Sequence, residues 1–186
     1  MESNLQFDGI RWVNIRELGI SQLFLSQRKL DDIQKWFDPN DLTHFAPLPV
    51  HDFGNGRLTL TDGHSRAFTA HKAGLKKLPV VYDLDEIITS QTGQMLYQND
   101  IVWCGRFGLY SVCDLESRIV SGEIYQKVWN DRCDEGFNLL TKATAQQRAQ
   151  WERLHKDLYL YGASDDLTTL YFEDRCGNVY LFPSDM

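Results

Sequence analysis

A chain of 186 residues is long enough for one domain, or one core domain with an appendage, and at this size it buries about 70% of its extended surface without cross-links. Its 26 acidic residues against 19 basic ones leave a net charge of −7, which argues against DNA as a partner, because non-specific affinity for DNA comes from neutralising phosphates. No apolar stretch approaches the ~20 residues of a membrane span, and MESNLQFDGIRW lacks the basic and apolar regions of a signal peptide, so a cytoplasmic protein without a membrane partner is expected.

The segment IRWVNI at 10–15 is rich in β-formers and predicts a first strand. In SQRKLDDIQKWF, Leu30, Ile33 and Phe37 recur at helical spacing behind Ser26 as N-cap, and Asp38-Pro39-Asn40 ends the helix. Strands at about 48–53 and 57–61 flank Asn55-Gly56, a pair that tolerates positive φ and predicts an antiparallel hairpin. A helix follows from His64 to Ala73, closed by Gly74 at the C′ position, and the nearly continuous apolar run LPVVYD predicts a buried strand.

Composition turns polar at 84–94, where a boundary is expected, giving units 1–90 and 91–186 packed as one. Beyond it, the stretch around 111–133 reads as two short helices, one carrying Leu115 and Ile119, the other Ile124, Val128 and Trp129. Thr144 and Gln147 form a capping-box pattern opening a helix to about Lys156. The tail has strand composition with turns at 162–165 and 176–178, a small antiparallel sheet. The fold class is therefore α/β or α+β: a mixed sheet followed by a helical region and a small antiparallel sheet. Cys104, Cys113, Cys133 and Cys176 lack metal-ligand spacing and read as reduced thiols.

The densest chemistry is Asp62-Gly63-His64-Ser65-Arg66, at a strand-to-helix corner. One account is a capped turn with Asp62 as N-cap. The other is a phosphate site: free N–H groups of a helix start, a glycine admitting a ligand to the backbone, and side-chain donors from Arg66, His64 and Ser65. Asp62 could hold Mg²⁺ beside such a phosphate, and Lys29 could reach it. His51-Asp52 reads as a surface hairpin pair.

With its flanking strands and the segment LSQRKLDDIQKW, this corner resembles the ParB/sulfiredoxin superfamily, or ParB-like nuclease domains, over roughly residues 10–85. The superfamily's Gly-x-x-Arg corner is matched by Gly63 and Arg66, and Asp-Gly-His-Ser-Arg is most similar to the form in free-serine kinases, with Ser65 replacing a second histidine. The resemblance implies a ParB/sulfiredoxin-like fold. It also implies ATP, ADP or CTP bound with Mg²⁺, the phosphates on Gly63 and Arg66; with the donors and metal ligand read from the residues, the expected binding set is Asp62, Gly63, His64, Ser65, Arg66 and Lys29, with Asp62 at the metal. An ATP- or ADP-dependent phosphotransferase acting on a small molecule would use His64 and Arg66 catalytically, with Glu17 as base. A non-catalytic module binding a nucleotide or another phosphorylated small molecule is the alternative, and DNA binding or cleavage a third.

Overall fold

The computed structural model describes residues 5–154, 157–163, 169–174 and 176–183. Strand β1 (Ile10–Asn14) leads through a 3₁₀ turn, Ile15–Glu17, to the two-residue strand β2 (Leu25–Ser26) and helix α1 (Gln27–Gln34). Ser26 caps α1, its hydroxyl accepting from the Lys29 N–H, and Leu30 and Ile33 are the residues of α1 that are buried. Strands β3 (Leu48–His51) and β4 (Thr59–Leu60), helix α2 (His64–Lys72) and strand β5 (Lys77–Tyr82) follow. The sheet order is β1-β5-β3-β4, with β1 antiparallel to β5, β5 parallel to β3, and β3 antiparallel to β4. A parallel neighbour requires a crossover, and α2 supplies it.

The expected hairpin forms, but its strands are shorter than 48–53 and 57–61. The Asp52 carboxylate accepts from the N–H groups of Gly54 and Gly56 at 3.0 and 3.1 Å, which organises residues 52–58 as a loop rather than a two-residue turn. Gly74, at φ +90°, ends α2 as expected.

The second half holds α3 (Glu86–Thr89), the long α4 (Gln91–Arg106), β6 (Ile119–Val120), α5 (Gly122–Tyr125), a π-helical segment (Gln126–Asp131), α6 (Arg132–Lys142) and α7 (Ala145–Leu154). Strands β7 (Leu158–Ala163), β8 (Thr169–Asp174) and β9 (Val179–Pro183) make the antiparallel tail sheet. Two expectations change here. The first of the two short helices is a pair of 3₁₀ turns at 112–114 and 116–118, running into β6, which pairs in parallel with β2. Of the turn expected at 162–165, Gly162 and Ala163 belong to β7 instead; residues 164 and 165 lie outside the described set, as does Lys156. The capping box of α7 is present: Gln147 accepts from the Thr144 N–H at 2.7 Å and donates its own N–H to Thr144 Oγ1 at 3.3 Å.

The molecule is thus α+β, a four-stranded mixed sheet plus a small antiparallel sheet among helices. Its main core joins Leu48, Val50, Leu60 and Phe68 to Trp103, Leu115 and Tyr125, so residues on both sides of position 90 share one apolar interior. A second cluster packs Met95, Leu96, Leu139, Trp151 and Phe172 under the tail sheet. Among the described residues no helix is long and apolar enough to cross a membrane.

Candidate functional site

The corner between β4 and α2 is held from two sides. On one side Tyr97 donates its hydroxyl to the Thr61 carbonyl at 3.2 Å, and Thr61 donates to the Asp83 carboxylate at 2.6 Å. On the other, the segment after Glu17 lies along β4: the Leu60 N–H donates to Gly19 at 3.0 Å, and Ser21 Oγ donates to the Leu60 carbonyl at 2.8 Å.

Gly63, not Asp62, is the N-cap of α2, so the capped-turn account fails at its central residue. Its φ of +78° suits glycine, and a Cβ there would stand 2.6 Å from Leu48 Cδ2 and 2.9 Å from Arg66 Nη2. A glycine offers no capping side chain. The first intrahelical bond is from Ala67 N–H to the Gly63 carbonyl at 2.9 Å, which leaves the N–H groups of His64, Ser65 and Arg66 without an acceptor among the described residues.

His64 is only 2% exposed, and its Nε2 accepts from the Ser21 N–H at 3.1 Å. That bond places the ring proton on Nδ1, which is buried and has no hydrogen-bond partner among the described residues. Burial pushes the imidazole pKa down to about 4, with Asp62 opposing the shift and Lys29 adding to it. His64 is therefore neutral at physiological pH and offers a neutral N–H donor. An unsatisfied donor of this kind costs about 1–3 kcal/mol.

Arg66 donates Nη1 to the Ala46 carbonyl at 2.9 Å, lies 4.0 Å from the Asp62 carboxylate, and stands over the Phe45 ring at 6.0 Å. Lys29, from α1, holds its ammonium 4.8 Å from the centre of the Tyr125 ring. These elements enclose a cavity of about 310 Å³ lined by Lys29, Asp62, Gly63, His64, Ser65 and Arg66 together with Gln22, Asp32, Ile33 and Tyr125. Six of the seven site residues named from sequence meet in it. Glu17 does not: it is exposed on the 3₁₀ turn after β1, and its backbone carbonyl accepts from Arg57 at 2.9 Å. His51 also departs from expectation, being buried, with its Nδ1 2.8 Å from the Asp83 carbonyl and its ring against Phe53 and Tyr82.

Asp62 suits Mg²⁺ only in part. Its side chain is 80% exposed and lines the cavity, but among the described residues no cluster of three or more His, Cys, Asp or Glu could hold a metal alone. Mg²⁺ commonly takes one carboxylate plus ligand phosphates, so Asp62 could hold the ion only jointly with such a ligand.

Comparison with known proteins adds the following. No protein-family model matches the chain, and no curated protein does. Among solved structures, a free serine kinase in complex with AMP is similar at 16% identity and TM-score 0.34, over 50% of this chain and 36% of the kinase, so the chain spans about a third of that enzyme's length. A protein from Agrobacterium tumefaciens is similar at 13% identity and TM-score 0.41, over 80% of this chain and 91% of that one. C-terminally truncated chromosome-partitioning protein ParB from Caulobacter crescentus, complexed with CTP-gamma-S, is similar at 17% identity and TM-score 0.33, over 78% and 86% of the two chains. These are likenesses at low identity and low TM-score, and the chemistry of the site stands on its own residues.

Sequence reasoning missed Ser21 and Gln22, which no motif marks. Both reach the corner only because Gly19 pairs beside Thr59. It also missed a second cavity of about 460 Å³ that shares Gln22 and His64 with the first.

Proposed function

We propose that this chain binds a nucleotide through its phosphates at the Asp62–Arg66 corner. The observation that carries the reading is a group of donors that lack acceptors among the described residues, the first-turn N–H groups of α2 and the buried Nδ1–H of His64, beside the cations of Arg66 and Lys29. A phosphate has acceptor oxygens for all of them. Gly63 lets it approach the backbone, Arg66 supplies charge-assisted hydrogen bonds, and His64 selects an acceptor because its tautomer presents a proton. ATP, ADP and CTP are the candidate ligands. A Mg²⁺ held by Asp62 with the phosphates would supply charge neutralisation.

The finer reading is phosphoryl transfer to a small molecule, with Arg66 and the His64 N–H stabilising charge on the transferred group. A non-catalytic binding module is favoured over it by one observation: Glu17, the base named from sequence, stands outside the cavity that holds the other six residues. Calorimetry with ATP, ADP and CTP, with and without Mg²⁺, tests the binding itself. Wild type should bind at least one of them, and Arg66→Ala should bind it at least tenfold more weakly while melting within a few degrees of wild type. Absence of binding by wild type to all three removes the proposal. A coupled search for phosphorylated product in the same mixtures separates enzyme from module.

A further inference from the structure

We infer that the 460 Å³ cavity beside the corner is the second compartment of the same site and takes an uncharged, ring-bearing organic group, a nucleoside, whose phosphates sit on the corner. This rests on the nucleotide reading above. The two cavities share Gln22 and His64, so a ligand spanning both passes the buried imidazole. The volume falls within the ~300–1,000 Å³ of small-molecule pockets, and the lining has their character: apolar surface from Leu96, Trp129 and Phe137 with polar groups from Gln22, Asp134 and Asn138.

Charge decides which chemistry enters. Arg132, the cation of this lining, is 1% exposed and engaged by Asp100, with its two terminal nitrogens 3.1 and 2.5 Å from the carboxylate oxygens. Its guanidinium also lies over the Trp129 and Tyr159 rings at 5.3 and 4.4 Å. Asp134 adds an exposed carboxylate on the wall. A carboxylate or second phosphate entering here would meet Asp134 and an arginine already neutralised. A nucleoside brings hydroxyls that donate to Asp134 and a ring that covers Phe137, with no charge to desolvate.

Most of the wall comes from α4, the π segment and α6, residues beyond the corner's own stretch of chain. The helical half is therefore part of the ligand site, setting what the phosphates are attached to.

The test compares pyrophosphate with ADP and CDP by calorimetry on the full chain. Wild type should bind the tighter nucleotide at least tenfold better than pyrophosphate. Asn138→Trp, an exposed position on α6 that lines the cavity, should reduce that preference to near parity while leaving pyrophosphate affinity unchanged. Phe137→Ala, which removes ring surface from the cavity and some packing against the second cluster without adding bulk, should lower nucleotide affinity severalfold while the chain stays folded, and keeps the test open should the tryptophan variant not fold. Equal affinity of wild type for pyrophosphate and both nucleotides overturns the cavity's role and leaves the corner standing. So does an intact nucleotide preference in folded Asn138→Trp. Failure of wild type to bind pyrophosphate and nucleotides alike overturns the corner and this inference together.

Discussion

His64 gives the corner its sharpest residue-scale prediction. Its folded pKa of about 4 lies below the ordinary value of 6.5, so between these pH values the unfolded chain binds a proton that the folded chain excludes. The stabilisation is present in full above pH 6.5 and is lost as pH falls toward 4. The gap corresponds to about 3 kcal/mol. Urea unfolding of wild type and His64→Gln at pH 7 and pH 4.5 should show wild type losing more stability than the variant; equal losses count against the neutral, buried imidazole. The composition of this corner was legible in the sequence, and so was its place at a strand-to-helix turn. The state of His64 was not, because its burial depends on the Ser21 N–H, which arrives from 43 positions away.

At the scale of elements, α4 was the longest of the helices that sequence reading passed over, α3 and most of α6 being the others. Its buried side includes Thr92, Asn99 and Asp100 beside Met95, Leu96 and Trp103, so no clean apolar stripe announces it. Its packing is tight at one end. A Cβ on Gly93 would lie 1.7 Å from the Ile87 carbonyl oxygen, whereas one on Gly105 would meet nothing nearer than a Tyr110 ring atom at 3.9 Å. Gly93→Ala should therefore destabilise by at least 1–3 kcal/mol through overpacking. Gly105→Ala in the same helix should be neutral or stabilise by up to ~1 kcal/mol through helix propensity. Thermal melts of the two variants check the contrast, and similar shifts for both would contradict it. The β2–β6 pair was invisible for another reason: each strand is two residues long, and Leu25 meets Ile119 across 94 positions.

For the whole molecule, the β-sheet half could be read because its signals are local: a cap at Ser26, glycines at turns, and a short apolar strand. The docking of the helical half could not, since it rests on pairings between distant residues. The buried contact of Asp100 with Arg132 ties α4 to α6; burial pushes the Asp100 carboxyl above its ordinary value, and the guanidinium opposes that shift. Removing one partner leaves a buried charge, so Arg132→Leu should cost about 3–5 kcal/mol, and Asp100→Leu with Arg132→Leu should cost less than the single change. We propose that residues 1–90 and 91–186 fold as one unit. The double-mutant cycle, followed by two probes placed one in each half, should then show coincident transitions, and separate transitions would argue for independent units.

The most direct measurement of the central claim is an NMR titration of the folded chain with pyrophosphate and ADP. Phosphate binding at the corner predicts that the backbone N–H signals of His64, Ser65 and Arg66, and the Nδ1–H of His64, shift first and saturate together. Binding that leaves those four signals unmoved, or shifts that fall elsewhere on the molecule, would contradict it.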